Sequence, residues 1–77
     1  MVKVYTIQSC PWCHKVKRYL KSKDVEFEEL DIEKDAAARE ACKKLTGMDW
    51  AVPVTTIDGE HYVIDFDKEA LDDLLCL

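Results

Sequence analysis

The chain has 77 residues, enough for one small domain with a modest hydrophobic core. Hydrophobic residues make up 48% of it, which argues against disorder, and a formal net charge of −5 argues against a nucleic-acid or anionic membrane partner. With no apolar run near the roughly 20 residues that cross a bilayer and no signal-peptide pattern, we expect one cytoplasmic, monomeric domain over residues 1–77.

The first part of the chain alternates between strand-like and helix-like patterns. β-Branched and aromatic residues over 2–7 predict a strand. Pro11 suits the first turn of a helix, because the N–H that it lacks would be unpaired there, and this helix runs to about Lys23. Residues 25–28 alternate apolar and acidic side chains, which predicts a half-exposed strand that continues to about Asp31.

A second helix follows, with Asp35 as its N-terminal cap and Gly47 at its end. Helical spacing predicts that its buried face consists of Ala37, Ala41, Cys42 and Leu45.

The last third of the chain predicts a hairpin and a final helix. Residues 54–57 form one strand, Asp58-Gly59 a two-residue turn, and residues 60–64 the return strand. Asp67 caps the last helix, whose predicted buried face is Leu71, Leu74 and Leu75. The order β-α-β-α-β-β-α predicts an α/β fold with a four-stranded mixed sheet and helices on both faces.

Two cysteines stand at the start of the first predicted helix, in the motif Cys10-Pro11-Trp12-Cys13. If Pro11 is the first helical residue, Cys10 is the N-cap and its sulfur faces unpaired backbone N–H groups. Those donors and the positive helix end favour the thiolate, the nucleophile of disulfide exchange. Cys13 lies one turn further, on the buried face and close enough to form a disulfide. The motif therefore predicts a thiol–disulfide oxidoreductase with Cys10 as nucleophile and Cys13 as resolving thiol.

A zinc site is the main alternative for a C-x-x-C pair, and it needs two more ligands at matching spacing. The candidates are isolated in sequence and form no second C-x-x-C or H-x-x-x-H pattern: Cys42, Cys76, His14 and His61. The proline and tryptophan between the cysteines also suit a helix start better than a zinc knuckle. We therefore predict no metal.

The other cysteines, the two tryptophans and the lysines of the first helix have simpler roles. Cys42 and Cys76 lie on or near apolar helix faces, which predicts core packing, with a regulatory or intermolecular disulfide as the alternative for Cys76. Trp12 is expected to be an exposed platform for a docking peptide. Trp50 either lines the same groove or packs in the core. The lysines of the first helix predict a solvated face.

The chain resembles the glutaredoxin family over essentially its whole length. A strand, the Cys-Pro-aromatic-Cys motif and a basic helix come first, followed by Val52-Pro53 before a strand, an Asp-Gly hairpin and an acid-capped last helix. The resemblance is nearest to the short bacterial and archaeal glutaredoxin-like redoxins. It implies a minimal thioredoxin fold and no tightly bound cofactor. It also implies that Pro53 is cis and faces Cys10, and that Val52 offers backbone hydrogen bonds to a substrate.

The resemblance further implies glutathione as co-substrate, disulfide-bearing proteins or glutathione as partners, and a reductase system that resets the dithiol. Two departures from the family pattern predict weak glutathione binding. Ile7 stands where the family usually has Lys or Arg, and residues 62–67 lack the usual Gly-Gly pair. Asp65 or Asp67 remains to hold the γ-glutamyl end of glutathione.

Three other functions are compatible with the same family resemblance. An electron donor for ribonucleotide reductase, reduced by thioredoxin reductase, typically has a different motif interior and a W-S-G-F-type signature, which this sequence lacks. A [2Fe–2S] carrier is disfavoured by the bulky Pro-Trp interior and the incomplete glutathione site. A redox-silent binding module is disfavoured because both cysteines are present.

Overall fold

The structure is a computed structural model that describes residues 2–48 and 52–76. Its elements confirm the predicted order. They are β1 (Val2–Thr6), α1 (Pro11–Ser22), β2 (Phe27–Asp31), α2 (Ala36–Thr46), β3 (Val54–Thr56), β4 (Tyr62–Ile64) and α3 (Lys68–Leu75). Within these ranges, no helix combines the length and the apolar character that crossing a membrane requires.

The four strands form one mixed sheet in the order β2-β1-β3-β4. β1 pairs with β2 in parallel, and the β1–β3 and β3–β4 pairs are antiparallel. Because Tyr5 near the end of β1 pairs with Val54 at the start of β3, Pro53 lies at the same edge of the sheet as the loop that leads from β1 into α1. This strand register brings the Pro53 loop and the start of α1 together, which defines the location of the candidate site.

Alternation along β1 divides the core between the two faces of the sheet. The first cluster packs α2 against one face and comprises Tyr5, Ile32, Ala38, Cys42 and Val54. The second packs α1 against the other face and comprises Val2, Val4, Val16 and Leu20. Phe66 and Leu75 pack against the second cluster, so α3 lies on the same side as α1. The prediction of helices on both faces is confirmed.

Side-chain caps define the starts of the second and third helices, as predicted. Asp35 Oδ1 accepts the N–H groups of Ala37 and Ala38 at 3.0 and 3.2 Å. Asp67 Oδ1 accepts the N–H of Ala70 at 3.1 Å. At the end of α2, Gly47 has φ of 75°, a left-handed conformation that favours glycine.

The predicted buried face of α2 was wrong in part. Cys42 is buried and Leu45 is half-buried, but Ala37 and Ala41 are exposed, and Ala38 is the buried alanine. Positions 38, 42 and 45 follow the helical spacing of i, i+4 and i+7. The alanines are chemically identical, so composition alone does not reveal which of them faces the sheet.

The predicted two-residue hairpin turn was also wrong. β3 ends at Thr56 and β4 begins at Tyr62, which leaves a five-residue loop over residues 57–61. Asp58 Oδ1 accepts the N–H groups of both Glu60 and His61 at 2.8 Å. Thr56 Oγ1 adds a bond to the carbonyl oxygen of His61 at 2.7 Å. These side-chain bonds replace the ladder bonds that a tight turn would have preserved.

The two cysteines outside the motif have different surroundings. Cys42 is 1% exposed, which confirms core packing. Cys76 is exposed, contrary to that prediction, because it is the C-cap of α3 with φ of 58° and turns away from the apolar face. On the same helix Leu71 is fully buried, whereas Leu74 and Leu75 are only half-buried. Trp50 lies outside the described residues.

Candidate active site

Cys10 occupies the N-cap position of α1, as predicted. Its backbone is extended, with φ of −99° and ψ of 109°, and Pro11 is the first helical residue. The N–H of Cys13 donates to Cys10 Sγ, with the nitrogen and the sulfur 3.1 Å apart. A donor at the positive end of a helix can stabilise negative charge on the atom that accepts from it, and Cys10 Sγ occupies that position.

Cys13 is in a different environment, one turn inside the helix. It is 0% exposed, against 8% for Cys10. Burial raises the pKa of the Cys13 thiol to about 12, with a further contribution from its hydrogen bond to Cys10, while a backbone hydrogen bond from Ile7 and the charge of Lys17 act in the opposite direction. At neutral pH the inner sulfur is therefore a protonated thiol. Both cysteines are free thiols in this structure.

The Val52–Pro53 peptide bond is cis. Pro53 is buried, and Val52 is half-buried against the cluster that contains Tyr5. The sheet register places this loop at the edge where α1 begins. The structure thus gives Pro53 the isomer that the family resemblance implied and brings the loop to the edge that carries the motif.

The two candidate aspartates differ in position. Asp65 follows β4 in a left-handed conformation, with φ of 63°, and its N–H donates to the carbonyl oxygen of Pro53 at 2.9 Å. Asp67 is two residues further on, and its carboxylate caps α3. The structure therefore joins Asp65 to the cis-proline loop and gives Asp67 a structural task.

Ile7 precedes the motif by three residues, and Trp12 lies within it. Ile7 is half-buried and packs against the cluster that contains Tyr5. This position therefore provides no cation where the family usually has Lys or Arg. Trp12 is 51% exposed, as predicted. Lys15 Nζ lies 4.2 Å from the centroid of the Trp12 ring, a cation–π contact that the sequence analysis missed. Its signal was the i, i+3 spacing of the two residues on a helix.

A polar network beneath α1 was also missed. Lys17 Nζ pairs with Glu29 Oε2 at 2.7 Å, and the hydroxyl of Thr6 donates to the same oxygen at 2.9 Å. The network joins α1, β2 and the end of β1, and its ion pair lies at the surface. Lys17 is four residues after Cys13, a spacing that places the two on one helix face, but its partners come from distant parts of the sequence.

A possible metal-ligand group lies elsewhere. Asp58, Glu60 and His61 present ligand atoms within 4.8 Å of one another in the exposed β3–β4 loop. His61 Nδ1 pairs with Asp58 Oδ2 at 2.7 Å. Within residues 2–48 and 52–76, no such group includes either cysteine of the motif.

Sequence comparison identifies the relatives of this chain. The Glutaredoxin family profile matches residues 2–62. The chain is 39% identical over 75 residues to an uncharacterized glutaredoxin-like 8.6 kDa protein in the rubredoxin operon of Clostridium pasteurianum, with 97% of both chains covered. It is 44% identical over 71 residues to glutaredoxin 3 of Escherichia coli, covering 92% of this chain and 84% of the relative.

Solved structures have the same fold. The thioredoxin-like protein BC3987 superposes with a TM-score of 0.85 at 40% identity, covering 96% of this chain and 99% of that one. A glutaredoxin from Archaeoglobus fulgidus gives 0.83 at 28% identity, covering 96% and 84%. Buckwheat glutaredoxin, solved as a complex with glutathione, shares the fold at 19% identity with a TM-score of 0.66, covering 83% of this chain and 59% of that one. Because the profile, the relatives and the fold agree, this chain belongs to the glutaredoxin family of thiol–disulfide oxidoreductases.

Proposed function

We propose that this protein reduces protein disulfides and mixed disulfides of glutathione, with Cys10 as nucleophile and Cys13 as resolving thiol. The observation that carries the proposal is the contrast between the two sulfurs. Cys10 Sγ accepts the N–H of Cys13 at 3.1 Å at the start of α1, whereas Cys13 is fully buried. Cys10 Sγ thus has a donor for the negative charge that a nucleophile carries, whereas burial disfavours a Cys13 thiolate.

The chemistry proceeds in two exchanges. The Cys10 thiolate attacks one sulfur of the substrate disulfide, so that a new S–S bond forms as the substrate bond breaks, and the departing thiolate takes a proton from water. Cys13 then loses its proton and attacks Cys10 Sγ, which forms the Cys10–Cys13 disulfide and releases the second substrate thiol. The dithiol loses two electrons to the substrate, whose two protons come from water and from Cys13. Two molecules of glutathione, or a flavoprotein thioredoxin reductase, supply two electrons to restore the dithiol.

The substrate would lie between the motif and the cis-proline loop. We assign the backbone of Val52 to pairing with the cysteinyl backbone of the substrate, and the exposed face of Trp12 to apolar contact. Asp65 is the better candidate for the γ-glutamyl ammonium group, because it is tied to Pro53 while Asp67 caps α3. The glutathione complex of the buckwheat structural neighbour supports a site for this ligand on this fold. The bacterial glutaredoxin relatives support a cytoplasmic site of action.

A coupled turnover assay tests the proposal. Reduction of a glutathionylated peptide and of a protein disulfide would be followed with glutathione and glutathione reductase, and separately with thioredoxin reductase. We expect Cys10→Ser to abolish both reactions. Cys13→Ser should retain reduction of the glutathionylated peptide, which a second glutathione completes, and lose most reduction of the protein disulfide.

The same assay separates the reductants. Turnover with glutathione and glutathione reductase supports the glutathione-linked activity. Turnover with thioredoxin reductase alone would favour the donor to ribonucleotide reductase instead. Activity that survives Cys10→Ser would overturn the assignment of the nucleophile.

A further inference from the structure

An exposed strip on the outer face of α1 begins at the redox motif. Its positions follow helical spacings of three and four residues, and we define the α1 strip as Trp12, Lys15, Arg18, Tyr19 and Ser22. At about 1.5 Å per residue, the strip extends roughly 15 Å from the motif along the helix. Lys15 lies over the Trp12 ring, so the strip is continuous with the residue that flanks Cys10.

The far end of the α1 strip borders an apolar groove between α1 and α3. The rings of Tyr19 and Phe66 meet edge to face, with centroids 5.8 Å apart and an interplanar angle of 68°. With Lys15, Arg18 and Ser22 they line an open groove of about 320 Å³. The two aromatic rings make the groove apolar, which suits an apolar side chain of a docked segment.

The charge on α1 is opposite to that of the molecule. The chain has 16 acidic and 11 basic side chains, for a formal net charge of −5. The helix, in contrast, has no acidic residue and four basic ones, Lys15, Lys17, Arg18 and Lys21.

The neighbouring charged groups keep the α1 strip cationic. Lys17 is neutralised by Glu29 on the side facing β2. Lys23 Nζ lies 5.8 Å from the centroid of the Tyr19 ring. Asp72 of α3 is the acidic group in contact with the strip, and it accepts the hydroxyl of Tyr19. Lys15 and Arg18 are therefore exposed cations on an otherwise acidic protein, on the helix that begins directly after Cys10.

We propose that the α1 strip docks an acidic segment of the disulfide-bearing substrate protein, with an apolar side chain of that segment in the Tyr19–Phe66 groove. The proposal rests on the proposed function and defines its substrate class. Carboxylates beside Lys15 and Arg18 steer the encounter and fix its register. Since an extended chain advances about 3.3 Å per residue, the acidic residues lie within about five residues of the substrate cysteine.

Matched peptides test this docking. Two peptides would each contain one internal disulfide, followed within five residues by either Glu-Glu-Leu or Lys-Lys-Leu. At low ionic strength we expect kcat/KM to favour the acidic peptide by about tenfold, and the preference to shrink at about 0.3 M salt. Replacing the leucine of the acidic peptide by glycine should lower kcat/KM several-fold, because the groove is left empty.

The protein variants isolate the α1 strip. The double variant Lys15→Glu/Arg18→Glu should reverse the preference between the two peptides. The matched control, Lys34→Glu/Lys44→Glu, makes the same change of charge around α2 on the opposite face of the sheet and should keep the wild-type preference. Equal preference in wild type, or an equal change in both double variants, would overturn the proposal.

Two further measurements distinguish a failure of the docking proposal from a failure of the proposed function and from self-association. Dithiodipyridine is a small neutral disulfide, so its reduction reports the chemistry of Cys10 without any contribution from the α1 strip. A wild-type protein that fails to reduce dithiodipyridine would contradict the proposed function rather than the docking. Light scattering on wild type reports self-association. A dimer that Lys15→Glu/Arg18→Glu dissociates would overturn the proposal, because a second acidic copy of this chain would then be the occupant.

Discussion

In the proposed mechanism Cys13 must lose its proton before the substrate is released, and its surroundings make that loss difficult. Burial is the largest cause of its raised pKa, and two groups oppose it, the backbone N–H of Ile7 and the charge of Lys17. Lys17 is itself fixed by Glu29, whose carboxylate also accepts the hydroxyl of Thr6. The charge of Lys17 therefore acts on the thiol that we propose as resolving, while the N–H donor at the helix start contacts the proposed nucleophile.

Replacing Lys17 by methionine should slow the resolving step. The reduced protein reacts with dithiodipyridine in two phases, since Cys10 releases the first thiopyridone and Cys13 the second. We expect Lys17→Met to slow the second phase about fivefold, because one nearby positive charge shifts a thiol pKa by a fraction of a unit or more. The first phase should change by less than about twofold. Stopped-flow absorbance measures both.

The control is Lys21→Met, which removes a lysine one turn further from Cys13. It should leave the second phase close to wild type, and Lys17→Arg, which keeps the charge, should restore most of the rate. In wild type the second phase should accelerate as pH rises from 7 to 9, because the raised pKa of Cys13 leaves it mostly protonated over that range. A second phase that ignores both Lys17→Met and pH would contradict this role.

Ile7→Lys should strengthen glutathione binding. Ile7 is half-buried at the edge beside the motif, where a lysine stem can pack on the apolar surface and extend its ammonium group to solvent. A charge-assisted hydrogen bond to a glutathione carboxylate contributes about 1.5–3 kcal/mol, so the KM for a glutathionylated peptide should fall about tenfold. Ile7→Leu, which keeps the apolar contact, is the control. An unchanged KM would show that other residues already hold the carboxylates.

At the scale of elements, the α2 helix depends on its cap. Asp35→Ala removes the acceptor of two backbone N–H groups and should lower the free energy of unfolding by about 1 kcal/mol. Asp35→Asn keeps a side-chain acceptor and should lose only a small part of that. Denaturant unfolding measures both variants. Equal losses in the two would mean that the charge, rather than the cap geometry, stabilises the helix start.

The elements that sequence predicted well are those whose determinants are local. Pro11, Asp35 and Asp67 set helix starts by their own chemistry, and the structure confirms all three. The hairpin failed because Asp58 and Thr56 make side-chain bonds that compete with a tight turn. Such bonds depend on the loop geometry, which the Asp-Gly pair alone does not specify.

At the scale of the whole molecule, the candidate site shows the same difference between features with local determinants and features that depend on distant contacts. The motif predicted the cap position of Cys10 and the burial of Cys13, since both follow from one helix turn. The contact of Asp65 with Pro53 and the pairing of Lys17 with Glu29 join residues that are twelve apart in sequence. Only the folded sheet brings these groups together, so their sequence spacing provided no signal for them.

The free energy of unfolding of the reduced protein should decrease both at acid pH and at alkaline pH. Hydrogen bonding to Lys17 is the largest cause of the lowered pKa of Glu29, so the stability that this carboxylate contributes is present above its ordinary value of 4.5 and is lost as pH falls below it. Burial raises the pKa of Cys13 from 9.0 to about 12, so stability declines as pH rises through that interval, where the unfolded thiol ionises first.

Denaturant unfolding across the pH range measures both losses of stability, the acid limb from Glu29 and the alkaline limb from Cys13. The oxidised protein, in which the Cys10–Cys13 disulfide removes both thiols, should decline less above about pH 9 than the reduced protein. Identical alkaline limbs in the two redox states would contradict the assignment to Cys13.

The most direct test of the central claim compares Cys10 with Cys76 in one reaction. Cys76 is exposed at the C-cap of α3, where the helix end disfavours an anion, whereas Cys10 is only 8% exposed at the start of α1. Reduced protein would be treated with limiting iodoacetamide at neutral pH and mapped by peptide mass spectrometry. The account predicts that Cys10 is alkylated about tenfold faster than Cys76, despite its lower exposure, and that Cys13 and Cys42 are slower still. Alkylation of Cys76 or Cys13 before Cys10 would contradict it.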